Sequence, residues 1–266
     1  MSEQFAAQPL RAEQTLAPRV GAWVTLDAIV ATEQVARAGF DYVCVDGQHG
    51  LLGYDAQVRA LIAIAAGGAT PFARVSSNSA AEIGRVLDAG ARGVIVPLID
   101  TADEARAVAA AARYPTSGGV RSYGPMRLGP HFGATPEQTD AAVTVLVMIE
   151  TASALVELDA ILDVDGIDGV YVGPYDLSLA LGARVPFEDA ILPRLDAELE
   201  RIAEAAAARG KIAGAHCADG AQAARRAAQG FTFLTAATDV SSLRADMALQ
   251  LADARGARVD EVARAY

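Results

Sequence analysis

The stretch that decides the fold spans residues 142–177 and has the sequence AVTVLVMIETASALVELDAILDVDGIDGVYVGPYDL. It contains a continuous apolar run, an Ala- and Leu-rich segment, and a second apolar run that ends at Gly173-Pro174. A strand that is apolar at every position is typical of a parallel sheet, because helices cover both of its faces. The stretch therefore predicts a strand, a helix and a second, parallel strand.

The same pattern recurs along the whole chain, as eight apolar runs that are each followed by an Ala-rich helical stretch. The other six runs are GAWVTL, YVCVDGQH, TPFARV, GVIVPLI, KIAGAHC and FTFLTAATDV. Eight such units in 266 residues match the size of a (β/α)8 barrel. We predict an α/β fold of the TIM-barrel type, with an open doubly wound sheet as the alternative. Residues 1–266 are expected to form a single domain, with residues 1–20 as an extension or short helix.

Helix boundaries carry specific signals. The spacing of Ser79 with Glu82, and of Thr101 with Glu104, predicts capping boxes, and Asp219 with Gln222 is a looser version. Left-handed C-caps are expected at four glycines, Gly39, Gly90, Gly210 and Gly230. A late helix is predicted around Leu192–Arg209, with an apolar stripe that comprises Ile191, Leu195, Leu199 and Ile202.

Composition limits the function classes. The formal net charge is −11, which argues against nucleic-acid and anionic-membrane partners. Cys44 and Cys217 form no Cys-x-x-Cys pair, which favours two inert thiols in a reducing cytoplasm. The first 20 residues lack the features of a signal peptide, and no apolar run could span a bilayer. We expect a cytoplasmic protein.

Several kinds of catalysis are excluded by missing motifs. The one lysine, Lys211, opens strand seven and is expected at the rim opposite the carboxyl ends, which excludes Schiff-base and pyridoxal chemistry there. There is no P-loop and no G-x-G-x-x-G, and also no zinc-binding Cys-x-x-Cys pair. One long irregular segment, residues 114–135, separates units four and five, and we interpret its His131 as structural or exposed.

Polar residues follow the predicted strands, at the end of the barrel where TIM-barrel chemistry occurs. They are Asp46 and His49, Arg74, Glu150, Asp176, and His216 with Cys217. Strands five and six are neighbours, so Glu150 and Asp176 are expected to approach each other and to require a cation or a proton between them. Each residue alone has a structural explanation, such as an N-cap for Asp176 or an ion pair for Arg74. Their occurrence on successive strand ends favours a catalytic site.

The segment VMIETASALVELDAILDVDGIDGVYVGPYDLSLALG resembles the metal-binding core of the HpcH/HpaI aldolase family, the class II metal-dependent pyruvate aldolases. VDGQHG, FARVSSNSAAEIGRVLDAGARGVIVPLID and RYPTSGGVRSYGPMR resemble further motifs of the family, in the same order. The resemblance implies a (β/α)8 barrel that assembles as a hexamer and exchanges its last helix between subunits.

The resemblance also implies residue roles. Glu150 and Asp176 would bind a divalent metal cation, Mg²⁺, Mn²⁺ or Co²⁺. Arg74 would bind the oxo acid and stabilise its enolate, and His49, oriented by Asp46, would transfer the proton. Asp88 matches an acid that the family presents to a neighbouring subunit's site. The expected substrate-binding residues are Arg74, Gly173, Pro174, Tyr175 and His216.

The implied reaction joins pyruvate, or a related 2-oxo acid, to an aldehyde through a metal-stabilised enolate, or cleaves a 4-hydroxy-2-oxo acid. Two departures bear on the substrate. Met148 stands where the family commonly has Gln, and His216 where it often has an apolar residue. One alternative is a lyase for malyl-CoA or citramalyl-CoA thioesters, which Arg113, Arg121 and Arg127 keep open. A non-catalytic binding protein is the third possibility.

Overall fold

The computed structural model describes residues 17–127 and 135–256. Within them, eight strands form a closed barrel in sequence order, and every neighbouring pair is parallel. The prediction of a TIM barrel is confirmed, and the alternative of an open sheet is wrong. The strands are β1 Arg19–Val24, β2 Tyr42–Asp46, β3 Thr70–Arg74, β4 Gly93–Val96, β5 Thr144–Ile149, β6 Gly169–Val172, β7 Ile212–His216 and β8 Phe233–Thr238.

Helices connect the strands on the outside of the barrel. They are α1 Ile29–Arg37, α2 Tyr54–Gly67, α3 Ala80–Asp88, α4 Ala102–Ala112, α5 Pro136–Ala141, α6 Ala152–Val156, α7 Leu158–Leu162, α8 Pro174–Ala180, α9 Leu192–Ala207, α10 Gly220–Ala228 and α11 Asp239–Ala254. Two short helices, α6 and α7, follow β5 where the sequence predicted one continuous segment. The predicted late helix is α9, which ends two residues early, at Ala207.

The barrel interior is filled by aromatic rings. Tyr42 stacks on Phe233 with their ring centroids 3.9 Å apart, and Phe72 lies 5.1 Å from Phe233. A glycine makes room for them: a Cβ atom on Gly93 would lie 2.1 Å from the Phe72 ring. The interior is therefore a packed core, and it leaves space for a ligand above it and not within it.

A second apolar core lies between the strands and the helices. Val, Ile, Leu and Ala side chains from both layers are buried there, including Leu195, Leu199 and Ile202 of the predicted stripe in α9. Ile191 is only half-buried and lies just before the helix. Strands that are covered on both faces explain the continuous apolar runs in the sequence.

The helix-cap predictions are mostly confirmed. Thr101 and Glu104 form the expected reciprocal capping box, and Asp219 accepts a hydrogen bond from the backbone N–H of Gln222. All four predicted C-cap glycines have positive φ. The Ser79 capping box is wrong, because Glu82 instead accepts hydrogen bonds from the backbone N–H and hydroxyl of Ser76.

The barrel has two rims, which we call the carboxyl rim and the amino rim after the strand ends that form them. Asp46, Arg74 and His216 are the last residues of their strands, so they lie at the carboxyl rim. Lys211 lies at the amino rim, as predicted, and donates a hydrogen bond to the Val164 carbonyl (2.6 Å).

Three predictions fall partly or wholly outside the described residues. They concern His131, the middle of the loop over residues 114–135, and the N-terminal extension or short helix over residues 1–20. Of that extension, the structure describes only the last four residues, and β1 begins within them, at Arg19. In the described ranges, none of the helices has the length and apolar character needed to cross a bilayer.

Candidate active site

A cavity of about 250 Å³ opens at the carboxyl rim. Eight of the predicted site residues line it, namely Asp46, His49, Arg74, Gly173, Pro174, Tyr175, Asp176 and His216, and Met148 lines it as well. Strand ends and the loops directly after them supply all of these side chains. The structure therefore brings together most of the residues that the sequence placed on separate strands.

Arg74 and Asp46 form a buried, two-pronged ion pair across the ends of β2 and β3. Arg74 Nε donates to Asp46 Oδ1 (2.9 Å), and Arg74 Nη2 donates to Asp46 Oδ2 (2.7 Å). The pair is aligned because Asp46 and Arg74 are partners in the β2–β3 register. The guanidinium also lies over the Trp23 ring, 4.6 Å from its centroid. Two parallel hydrogen bonds and one stacking contact hold Arg74 in a single orientation.

Asp46 also organises the loop after β2. Its Oδ1 accepts hydrogen bonds from the backbone N–H groups of Gln48 (3.0 Å) and His49 (3.2 Å). Although burial acts to raise the pKa of Asp46, the hydrogen bonds and charge of Arg74 outweigh it, and the pKa lies below its usual value. Asp46 therefore contacts His49 through the backbone, whereas the sequence analysis expected it to orient the imidazole.

Glu150 follows β5 directly and is only 3% exposed. Its Oε1 accepts a hydrogen bond from the backbone N–H of Leu98 (2.8 Å). Burial raises the pKa of Glu150, and the negative charge of Asp176 adds to that increase. A buried carboxylate beside a second carboxylate favours either a proton or a bound cation.

Asp176 lies in the first turn of α8, three residues after Gly173, and its side chain lines the cavity. The helix N-cap is Gly173, so Asp176 is not the plain N-cap that the sequence left open. A Cβ atom on Gly173 would lie 2.7 Å from Glu150 Oε2 and 3.0 Å from Met148 Cε, so a larger residue there would displace the ends of these two side chains. The glycine thus leaves room for Glu150 beneath the turn that carries Asp176.

These two carboxylates fit a hard divalent cation, which prefers oxygen ligands. In residues 17–127 and 135–256, no cluster of three or more His, Cys, Asp or Glu side chains is arranged to hold a metal ion. Because a hard divalent cation takes six or more oxygen ligands, one held by Glu150 and Asp176 would have coordination positions for water or for substrate oxygens.

His216 ends β7 and contacts Trp23 edge-on, with ring centroids 4.9 Å apart. Burial lowers the pKa of His216 to about 4, and the positive charge of Arg74 acts in the same direction. The imidazole is therefore neutral near pH 7. It offers one hydrogen-bond donor and one acceptor to the cavity, and no charge.

Sequence reasoning missed five residues that complete the cavity, Trp23, Thr25, Tyr171, Thr238 and Val240. Tyr171 lies in β6, and the other four lie on or just after β1 and β8. Asp239 joins these two strand ends, because its carboxylate accepts hydrogen bonds from the Thr25 backbone N–H (3.0 Å) and the Thr25 hydroxyl (2.8 Å). The sequence does contain an indication of them, because polar residues follow β1 and β8 as well, namely Thr25 and Asp239.

Asp88 lies elsewhere. It is the last residue of α3, which runs from the carboxyl rim to the amino rim, so Asp88 is across the barrel from the cavity of its own chain. There it forms an ion pair with Arg121 (2.5 Å). Arg113 and Arg127, the other arginines that kept the CoA-thioester alternative open, donate to backbone carbonyls near the same rim. These three arginines therefore do not surround the cavity.

The structure thus combines a (β/α)8 barrel with acidic, guanidinium and imidazole side chains in a cavity at the carboxyl rim. The HpcH/HpaI aldolase/citrate lyase family model matches residues 19–245, and the chain belongs to that family. A hydroxypyruvate/pyruvate aldolase from Rhizorhabdus wittichii is 40% identical, over 90% of this chain and 94% of the relative. A 4-hydroxy-2-oxo-heptane-1,7-dioate aldolase from Salmonella dublin is 36% identical, over 85% of this chain and 86% of the relative.

Solved structures agree with this assignment. An HpcH/HpaI aldolase/citrate lyase family protein from Burkholderia cenocepacia superposes with a TM-score of 0.83 at 29% identity, covering 92% of this chain and 97% of the other. The citrate synthase SbnG superposes with a TM-score of 0.80 at 25% identity, covering 90% of this chain and 94% of the other. The family resemblance predicted from the sequence motifs is confirmed.

Proposed function

We propose that this protein is a class II pyruvate aldolase that forms or cleaves 4-hydroxy-2-oxo acids. The observation that carries the proposal is a cavity lined by Asp176 and the fixed Arg74–Asp46 pair, with the buried carboxylate of Glu150 close enough for the charges of Asp176 and Arg74 to act on it. Membership of the aldolase family and the names of the two relatives support it.

Glu150 and Asp176 would hold the divalent cation, which would supply Lewis-acid polarisation of the substrate's keto group. Arg74 is oriented by Asp46 before any substrate arrives. Its positive charge would bind the oxo acid and stabilise the negative charge that develops as pyruvate becomes its enolate. A group that is already oriented stabilises that charge without the cost of reorganisation.

His49 is the proposed proton carrier. Its side chain lines the cavity, and its backbone is held by Asp46. In the synthetic direction His49 would take a methyl proton from pyruvate, and in the cleavage direction it would return that proton to the enolate. Histidine is suited to this exchange because it changes charge near neutral pH.

The direct test is exchange of the pyruvate methyl protons with D2O, followed by NMR. The wild-type protein with added Mg²⁺ or Mn²⁺ is expected to exchange them, and removal of the metal with EDTA should stop the exchange. Glu150→Gln should also stop it, while Asp163→Asn, which changes an exposed carboxylate at the amino rim, should not. Undiminished exchange after metal removal would contradict the proposal.

Assembly into an oligomer with exchange of the last helix is a second part of the proposal. In α11, Leu243, Met247 and Leu251 are spaced four residues apart and are 51%, 57% and 50% exposed, so they form an apolar stripe. This stripe supports packing of α11 on another copy, and a hexamer is the form that the family resemblance implies. Asp88 could then enter a catalytic site only in a neighbouring subunit.

Light scattering after size-exclusion chromatography tests the assembly. The wild-type chain is expected to run as a hexamer, and Met247→Glu is expected to lower its mass. A monomeric wild type would contradict this part alone.

We also propose a reducing, cytoplasmic location, which the two buried free thiols of Cys44 and Cys217 support.

A further inference from the structure

We propose that the acceptor aldehyde is uncharged and carries a hydroxyl group, and that an aldehyde with a distal carboxylate is a poor acceptor. This inference rests on the aldolase function proposed above and concerns the part of the cavity that the oxo acid leaves open. That part is formed by residues at the ends of β7, β8 and β1, across the barrel from Glu150. We call it the acceptor wall, and its members are Trp23, Thr25, His216, Thr238 and Val240.

The charges around the cavity are the first argument. Among the described residues that line it, Arg74 is the one Arg or Lys side chain. Its Nε and Nη2 atoms already donate to Asp46, and its remaining charge is needed for the oxo acid. A cation at Glu150 and Asp176 would offset those two carboxylates. A second substrate carboxylate would therefore be desolvated without a counter-charge, which is costly.

A negative group behind the acceptor wall strengthens this argument. Asp239 lies against β1, where its carboxylate accepts hydrogen bonds from the backbone N–H groups of Thr25 and Leu26 (3.0 Å each). It also accepts a hydrogen bond from the Thr25 hydroxyl (2.8 Å). The Thr25 oxygen consequently presents lone pairs to the cavity, and these repel another acceptor such as a carboxylate.

The uncharged polar groups of the wall are the second argument. Thr238 Oγ1 accepts a hydrogen bond from the backbone N–H of Ser241 (3.2 Å), so its own proton is left to donate. Neutral His216 can donate through one ring nitrogen and accept through the other. A substrate hydroxyl both donates and accepts, so it matches this mixture of groups, whereas a carboxylate only accepts.

Matched acceptors test the inference. Rates of pyruvate addition are compared for glycolaldehyde, for propionaldehyde, in which a methyl group replaces the hydroxyl, and for succinic semialdehyde, which adds a carboxylate. We expect kcat/KM for glycolaldehyde to exceed both others by about tenfold or more, as sites that bind a substrate hydroxyl discriminate against analogues without it. Pyruvate methyl exchange in D2O is measured beside each assay, because it needs no aldehyde.

Variants of the wall give a second test. Thr238→Val is expected to lower kcat/KM for glycolaldehyde by about tenfold, with recovery in Thr238→Ser and little change for propionaldehyde. Val240→Arg supplies the missing cation and should raise the rate with succinic semialdehyde relative to glycolaldehyde. Ser242→Arg adds the same charge to α11 outside the cavity lining and should not change this ratio.

The outcomes separate the two proposals. If the methyl protons exchange and glycolaldehyde is preferred, the inference stands. If they exchange but succinic semialdehyde is used as well as or better than glycolaldehyde, the acceptor inference is overturned and the aldolase proposal survives. If no exchange occurs with metal present, the aldolase proposal fails and the acceptor inference fails with it.

Discussion

Two Arg–Asp ion pairs lie at opposite rims of this barrel and differ in the number of hydrogen bonds that they make. The upper pair is Arg74 with Asp46, at the carboxyl rim. Two hydrogen bonds join its side chains, and two backbone N–H groups also donate hydrogen bonds to the Asp46 carboxylate. In the lower pair, Arg121 with Asp88 at the amino rim, one hydrogen bond is made. Arg121 Nε and Nη1 are buried without an acceptor among the described residues.

The pKa values of the two carboxyl groups follow this difference. The pKa of Asp46 is lowered, chiefly because the hydrogen bonds and charge of Arg74 outweigh its burial. The pKa of Asp88 is raised, because burial outweighs its single contact with Arg121. The upper pair therefore forms both of its hydrogen bonds within one chain and fixes the guanidinium that we propose to act in catalysis. The lower pair leaves donors open, which accords with the proposal that this rim meets another copy.

The largest expected difference between the two pairs is the loss of protein stability when the aspartate of each pair is replaced. Asp46→Asn leaves Arg74 buried with its charge unbalanced, so we expect the free energy of unfolding to fall by about 3–5 kcal/mol. Asp88→Asn also leaves a buried guanidinium, that of Arg121, without its counter-charge, but the pair has one hydrogen bond and Asp88 itself is 26% exposed, so we expect a smaller loss of about 1–3 kcal/mol. Urea unfolding of both variants measures this. Equal losses would show that the pairs are energetically alike.

Activity should separate the pairs next. Arg74→Lys keeps the charge but loses the two-pronged contact with Asp46, so kcat for aldol addition should fall by about 10²–10³-fold, as when a preorganised donor to a developing oxyanion is removed. Arg121→Lys is the matched change in the lower pair and should lower kcat by less than about tenfold. Steady-state kinetics with saturating metal measures both. An Arg74→Lys enzyme with nearly full kcat would remove the reason for assigning Arg74 to catalysis.

The pH dependence of stability should show a smaller effect, through His216, which faces the upper pair. The unfolded chain binds a proton at His216 near its ordinary pKa of about 6.5, whereas the folded protein binds it only near pH 4. Between these values the unfolded state holds more protons, so the free energy of unfolding decreases as the pH falls from about 6.5 to about 4, by at most about 3 kcal/mol.

His216→Asn, which has no titrating group, should flatten this part of the stability curve. Denaturant midpoints measured between pH 4 and pH 7 for both proteins provide the comparison. Parallel curves for wild type and variant would show that folding does not lower the pKa of His216.

The sequence was sufficient for the barrel and for much of the site because both depend on strand order. A continuous apolar run followed by a helical segment marks each strand, and the residue after the run must lie at the carboxyl rim. Asp46, Arg74 and Asp176 were located in this way. Gly173 could be assigned to the site, but the reason for a glycine there, its closeness to Glu150 Oε2, depends on packing between two loops.

Contacts between distant segments were beyond the sequence. Spacing alone suggested that Glu82 would cap α3, but the Glu82 carboxylate accepts a hydrogen bond from the Ser76 hydroxyl instead. Trp23 lies in an apolar run in which nothing distinguishes inward from outward side chains, so its contacts with Arg74 and His216 appear only when the barrel closes. For the same reason, the sequence could not show whether the Asp46 side chain would pair with Arg74 or with the His49 side chain.

The central claim is that Glu150 and Asp176 together hold a divalent cation opposite Arg74. The most direct measurement is a crystal structure with Mn²⁺ and pyruvate, in which the ion is located by its anomalous scattering. We predict a single Mn²⁺ bonded to oxygens of Glu150, Asp176 and pyruvate, with the Arg74–Asp46 pair intact beside it. Manganese bound elsewhere, or Glu150 still turned toward the Leu98 backbone without a metal contact, would contradict the account.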